Sequence, residues 1–197
     1  MEKTFEKIVL KGQSAYSCIN GKVNTWEGKE TGYVLNLAAS DEELNKVTKL
    51  ATELIENAKK DPEFTAVNGQ KVNPKTWLPT EFLVNKLIKE KDGVKFITAK
   101  AKHEFKHKDG SVARSYIPIF DKHAKRIEDE ETFELSSNAN VAVELGIRVV
   151  YTSLYQGVSI RIRSIQMLDD NGRFVRGAGS NAGSMFKPVE EDTKAPF

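Results

Sequence analysis

Cysteine is almost absent: Cys18 stands alone among 197 residues, which excludes an internal disulfide framework and any zinc site built on thiolates. A reducing, cytoplasmic compartment is the default expectation for such a chain. Long hydrophobic runs are missing too, since no stretch approaches the about 18 apolar residues that a membrane-spanning helix needs. The opening MEKTFEKIVLKG has no basic region leading into an apolar one, so no secretory signal is expected. Phosphate-binding motifs are equally scarce. There is no Walker A sequence, and the glycines of RGAGSNAG at 176–183 are spaced G-x-G-x-x-x-G, which misses the dinucleotide fingerprint and follows no strand. That segment reads as a flexible linker.

What is present is an ordinary globular balance, 39% hydrophobic and 29% charged, on a chain long enough for one good core with appendages. The net charge of +2 conceals an asymmetry: Lys86 to Arg126 holds twelve Lys or Arg against five Asp or Glu, and the next eight residues, IEDEETFE, hold five acids and no base. A basic block beside an acidic patch points to a polyanionic partner with a defined footprint. A solvated mixed-charge surface is the plainer alternative, and the periodicity decides between them.

FEKIVL and SAYSCI read as two short strands, NGKVNTWEGKETG as turn, and GYVLNLAA as a further strand. Ser40-Asp41-Glu42-Glu43 is a capping box: Ser40 caps the Glu43 N–H and Glu43 reaches back. Leu44, Val47, Leu50, Ala51, Leu54, Ile55 and Ala58 then recur at helical spacing, Lys59 and Lys60 suit the C-terminal dipole, and Asp61-Pro62 ends the helix. Residues 62–79 form a long connection with three prolines. EFLVNKLIKEKDG reads as a second short helix with Lys86, Lys89 and Lys91 near its end. Beyond Gly93 the period becomes two. The runs KFITAKAKHEFKHK and VARSYIPIF are joined at Asp109-Gly110, and VAVELGIRVVYTSLY and VSIRIRSIQML near Gln156-Gly157. Short strands with one long helix among them predict a mainly β barrel or sandwich over about residues 1–172. From 173 to 197 the periodicity dissolves into a flexible C-terminal tail.

Alternation sorts the charges. In KFITAKAKHEFKHK, Phe96, Thr98, Lys100, Lys102, Glu104, Lys106 and Lys108 share one face, while Ile97, Ala99 and Ala101 share the other. In VSIRIRSIQML, Val158, Ile160 and Ile162 face one way, Arg161 and Arg163 the other. Trp26, Trp77, Tyr116, Tyr151 and Tyr155 add aromatic surface. Cations track phosphates and aromatic faces stack on bases whatever the sequence, so the pattern favours nucleic acid over a set of half-buried core aromatics. Catalytic readings are weaker. His103 and His107, four residues apart on a strand, would lie about 13 Å apart, too far to share a metal ion. The consecutive acids Glu128, Asp129, Glu130 and Glu131 cannot all face one ion. No metal, cofactor or catalytic residue is expected.

The stretch VKFITAKAKHEFKHKDGSVARSYIPIFDKHAKRI through NVAVELGIRVVYTSLYQGVSIRIRSIQML resembles the second half of the small single-stranded DNA-binding proteins of tailed bacteriophages. The shared features are a basic strand, a hairpin, a strand ending Ile119-Phe120-Asp121, a Lys-rich turn, an acidic connection and two alternating strands. The resemblance implies an OB-fold: a five-stranded Greek-key barrel with one long inserted α-helix and a second short helix. It implies a non-enzymatic protein of the infected host's cytoplasm that coats single-stranded DNA with little sequence preference during replication, recombination or repair. Lys100, Lys102, Lys106, Arg161 and Arg163 are then the candidates for backbone contacts, and Trp26, Trp77, Tyr151 and Tyr155 for stacking. The family ends in an acidic tail with a terminal Phe, an arrangement matched by Glu190, Glu191, Asp192, Pro196 and Phe197. This implies recruitment of a replication or recombination protein through the Phe carboxylate. The acidic part is short and interrupted by Lys194, a departure from a tail that competes for the DNA groove. The alternatives are a general DNA-binding or annealing protein that also holds duplex, a metal-dependent nuclease using the acidic cluster, and an adaptor whose basic face binds an acidic protein. Homo-oligomer formation, site size and DNA-versus-RNA preference stay open.

Overall fold

A computed structural model describes residues 5–174. Its frame is built from strands of very unequal length. β1 (Glu6–Cys18), β2 (Asn24–Trp26) and β3 (Lys29–Ala38) come first. The helices α1 (Asp41–Lys60) and α2 (Thr80–Asn85) follow, then β4 (Ile88–Lys91) and β5 (Val94–Ala101). Small pieces β6 (Glu104–Lys106), β7 (Val112–Arg114), β8 (Ile119–Phe120) and β9 (Glu134–Leu135) lead to β10 (Asn140–Tyr151), β11 (Gln156–Met167) and β12 (Arg173–Phe174). β1 pairs with β3 and β10, β3 with β5, and β10 with β11, all antiparallel. One parallel pairing, Arg161 opposite Lys100, joins β11 to β5 and closes the ring. The result is the five-stranded Greek-key barrel expected from the sequence, an OB-fold with one long and one short α-helix inserted. Among the described residues no helix is long and apolar enough to cross a membrane.

Alternation fills the barrel. Val141, Val143, Leu145 and Ile147 of β10 are fully buried, while Glu144 and Arg148 point outward. In β11, Val158, Ile160 and Ile162 face the core as their spacing predicts. Arg163 is then left unpaired at a bulge between the pairs Leu145–Ile162 and Glu144–Ser164, and Ile165 and Met167 take over the inward face. The predicted α1 is present, with Leu44, Val47, Ala51, Ile55 and Ala58 buried, and it packs on α2 and against β1 and β10. Ser40 Oγ accepts from the Glu43 N–H at 3.3 Å, the first half of the capping box. The second half is redirected: the Glu43 carboxylate accepts from the Lys11 N–H at 3.1 Å and pairs with Lys46, which ties the helix start to the barrel wall.

Several boundaries differ from expectation, each for a local reason. FEKIVL and SAYSCI fall in one strand, because the register shift against β3 between Ser14 and Tyr16, which leaves Ala15 unpaired, is absorbed without leaving the sheet. The turn-rich NGKVNTWEGKETG contains the β2–β3 hairpin, whose two loop residues Glu27 and Gly28 both have positive φ. α2 ends at Asn85, and Lys89 and Lys91 lie in β4, which returns as β5 through Asp92-Gly93, a two-residue hairpin loop with φ of 53° and 75°. KFITAKAKHEFKHK breaks after Ala101, so Lys106 is not on the same strand as Lys100. The pairing with β3 ends there, where β3 turns away toward β2: Gly32 has φ +103°, and a Cβ built on it would stand 2.5 Å from the Ala101 carbonyl oxygen. The remaining residues form the separate β6–β7 hairpin around the expected Asp109-Gly110 turn. VARSYIPIF divides into β7 and β8 on either side of Pro118. The β10–β11 turn lies at 152–155, with Gly157 inside β11. β12, which pairs with β9, takes up the first two residues of the expected tail. Glu190, Glu191, Asp192, Pro196 and Phe197 lie outside the described residues.

Candidate nucleic-acid interface

The seam where β5 and β11 run parallel has an outward side, and the outward residues of β10 adjoin it. The α2–β4 connection rises along one edge and the β10–β11 loop along one end. Together they enclose a groove of ≈ 550 Å³. Lys100 reaches it from β5, Arg148 from β10, Lys86 and Lys89 from the α2–β4 edge, and Tyr155 from the loop. No carboxylate is among the described residues that line it. The cations are held by neutral groups instead. The Lys86 ammonium sits 3.8 Å from the centre of the Phe82 ring, and Lys89 Nζ donates to Thr98 Oγ1 at 3.4 Å. Arg161, the partner of Lys100 across the seam, is partly buried. Burial first, then the neighbouring Arg148 and Arg163, push its guanidinium below the ordinary arginine value. Like charges crowded in this way mark a surface suited to an anion.

Of the residues singled out in the sequence, Lys100 and Tyr155 line this groove, and Arg161 stands beside it as the cross-seam partner of Lys100. Tyr155 is 47% exposed, and its hydroxyl donates to the Val158 carbonyl at 2.9 Å, which fixes the ring at the rim. Arg163 is exposed at the β11 bulge, where its charge adds to the Lys7 hydrogen bond that holds the Glu144 carboxyl low. Lys102 lies exposed at the end of β5, and Lys106 on the β6–β7 hairpin. Trp26, 70% exposed, sits next to the β2–β3 turn. Glu30 links those two hairpins, 2.8 Å from His103 Nε2 and 3.9 Å from the Arg114 guanidinium. Trp77 and Tyr151 are engaged elsewhere. Their rings pack edge to face at 4.9 Å, Phe64 lies 5.5 Å from Trp77, and the Tyr151 hydroxyl donates to Thr76 Oγ1 at 2.7 Å. With Gln156 bonded to Thr76 and Leu78, they dock the long 62–79 connection onto the barrel.

Lys86, Lys89 and Arg148 were not among the residues the sequence singled out for DNA contact. Arg148 did leave a signal: it is the one cation in VAVELGIRVVY and falls on the outward parity with Glu144. Lys86 and Lys89 required the turn from α2 into β4, which composition does not show.

No protein-family model and no curated protein matches the chain. Solved structures do match. One is gp2.5, a single-stranded DNA-binding protein encoded by bacteriophage T7, with a TM-score of 0.58 over 98% of this chain and 100% of that one, at 13% identity. A C-terminal truncation of the bacteriophage Enc34 single-stranded DNA-binding protein gives 0.51 over 85% of this chain and 88% of its own, at 16% identity. The Enc34 protein in complex with single-stranded DNA gives 0.50 over 86% and 89%, at 16% identity. The chain has the fold of these phage proteins. At such identities the likeness is one of architecture, and the chemistry must be read from this chain's own side chains.

Two acidic clusters lie away from the groove. In the 128–131 run, Asp129 is paired with Arg173, and Glu130 accepts from Arg126 Nε at 3.0 Å. Those arginines hold both carboxyls below the usual range. Acids neutralised in this way do not converge on a vacant centre. Glu30, His103 and Glu104 bring their ligand atoms within 4.8 Å of one another. The Arg114 guanidinium already stands 3.9 Å from the same Glu30 carboxylate, which opposes a further cation there.

Proposed function

We propose that this protein binds single-stranded DNA along the groove over the β5–β11 seam, without strong sequence preference and without catalysis. The proposal extends to coating single strands during phage DNA replication, recombination or repair. The observation that carries it is the row of cations, Lys86, Lys89, Lys100, Arg148 and Arg161, none with a carboxylate partner among the described residues. Tyr155 at the rim supplies an aromatic face beside them. Such a surface follows a phosphate backbone while a flexible strand turns bases toward the rim. That an Enc34 protein of the same fold has been solved with single-stranded DNA supports the choice of ligand. The deciding experiment titrates oligo-dT and a duplex of equal length at stepped salt. Oligo-dT is expected to bind in preference, with log affinity falling by about 0.7 per log unit of salt for each phosphate neutralised. Equal duplex binding turns the reading to an annealing protein, and a flat salt dependence sinks it. Cleavage of either DNA on adding magnesium turns it to a nuclease.

The tail belongs to the same proposal. Phe197 offers apolar burial and a carboxylate to a basic-rimmed pocket on a replication or recombination protein. Deleting residues 190–197 is expected to leave oligo-dT affinity within a few-fold while abolishing that association. A gain in DNA affinity of about a hundredfold instead makes the tail a competitor for the groove.

A further inference from the structure

Phe5 is the residue immediately before β1, and its ring lies on the outer face of β10 at Gly146. A Cβ built on Gly146 would stand 3.1 Å from both Cβ and Cδ1 of Phe5, so glycine leaves a notch in β10 that seats the ring. Two guanidiniums lie over that same ring. Arg148 Cζ is 4.7 Å from its centre and Arg161 Cζ 4.8 Å. They reach it from neighbouring strands: Gly146 is opposite Arg161 and Arg148 opposite Ser159, so the register brings notch, ring and both arginines together. Neither arginine has a carboxylate partner among the described residues, and Arg148 Nε is buried without a hydrogen-bond partner.

Two like charges gathered, partly desolvated and unpaired are unfavourable until an anion joins them. The ring offsets part of that cost by cation–π attraction and also fixes geometry. A guanidinium that lies with its face on a ring keeps its N–H edges free, and those edges match phosphate oxygens in bidentate fashion. We infer that Phe5, Arg148 and Arg161 form a phosphodiester clamp, in which Phe5 is the positioning residue that holds both guanidinium edges toward a nucleic-acid backbone. The clamp rests on the groove reading above, and it extends the binding surface to the residue that precedes the barrel.

The test compares the full-length parent with Phe5→Leu, Phe5→Trp, the Arg148→Ala/Arg161→Ala double variant and that double variant carrying Phe5→Leu. Oligo-dT affinity, its salt slope and thermal unfolding are read for each. Phe5→Leu is expected to weaken binding by about tenfold and to flatten the salt slope. Phe5→Trp, with a stronger cation–π face, is expected to bind at least as well as the parent. In the double-alanine background, Phe5→Leu is expected to change nothing further. An equal loss in both backgrounds means that Phe5 merely supports the strand, and it overturns the clamp. So does an unchanged affinity and slope for Phe5→Leu, or parent-like binding by the double-alanine variant, each of which leaves the lysine groove standing. Phe5→Met serves the same comparison if Phe5→Leu unfolds. A parent that does not bind oligo-dT is the distinct failure of the groove reading, and the clamp falls with it.

Discussion

The groove and the acidic flank of the barrel are both crowded with cations, yet they handle them in opposite ways. On the flank, Lys122 Nζ lies 2.6 Å from Asp170, Arg126 is bound by Glu130 and Arg173 by Asp129. Asp121 accepts the N–H groups of His123 and Lys125 at 2.9 Å each, so even the Lys-rich turn is held by a carboxylate. In the groove no cation meets an acid among the described residues. Exposed ion pairs contribute little stability, but they cancel the field of each partner. A surface whose positive charges are left unpaired keeps a potential that reaches into solvent and attracts polyanions. The net charge of +2 averages these two regions into near neutrality and hides the division of labour.

The comparison is broken or sharpened most strongly by removing charge from each side. Lys89→Ala with Lys100→Ala is expected to weaken oligo-dT binding by about 100-fold near physiological salt and to lower the salt slope by about 1.4. Lys122→Ala with Arg126→Ala removes the same formal charge from the flank and is expected to leave the slope unchanged. Equal losses from the two double variants would mean that only total charge matters.

The aromatic residues divide the same way, with a somewhat smaller effect. Tyr155→Ala is expected to cost about 2 kcal/mol of oligo-dT binding, a typical stacking loss, with little change in Tm. Trp77→Ala is expected to do the reverse, lowering stability by about 2 kcal/mol through loss of its packing on Phe64 and Tyr151. If Trp77→Ala folds at parental Tm and loses affinity, the two rings have been assigned the wrong way round.

The smallest effect concerns pH. The Arg173 hydrogen bond holds the Asp129 carboxyl below its usual value, so its contribution is present above the ordinary carboxylate range and is lost as pH falls through the lowered folded value. Asp129→Asn is therefore expected to unfold at slightly lower temperature than the parent at pH 6. The difference should shrink as pH falls through that lowered value, below which both carry a neutral side chain. A difference that persists undiminished in acid would mean that the pair is not what ties this flank together.

Much of the barrel was legible because its signals are local. Val158, Ile160 and Ile162 alternate with polar residues, and α1 announces itself through Ser40, an apolar stripe and Asp61-Pro62. Boundaries were harder where two signals competed. Asp92-Gly93 looked like a helix end because Lys86, Lys89 and Lys91 continued a helix-compatible composition, but the pairing of Ile88 with Ile97 favoured a strand. KFITAKAKHEFKHK alternates through its whole length, and nothing within it reports that β3 turns away at Gly32 and leaves it without a partner. Of the residues singled out for DNA contact, Lys100 and Tyr155 line the groove and Arg161 adjoins it across the seam, while Trp77 and Tyr151 pack on the docked 62–79 connection.

Chain-local physics determined the periods, the long helix, the hairpin turns and the presence of cationic strand faces, because each depends on residues within a few positions of one another. Only the tertiary structure decided which cations became neighbours. Arg161 meets Lys100 because a parallel seam closes the ring, Arg148 joins them through the antiparallel register of β10 and β11, and Lys86 and Lys89 arrive along the edge of β5. Phe5 is the extreme case. Its role depends on a missing Cβ at Gly146, about 140 positions away in sequence, and on two arginines brought together by sheet register. Register is set by barrel closure and side-chain packing across strands, a property of the whole fold that no window of the chain contains.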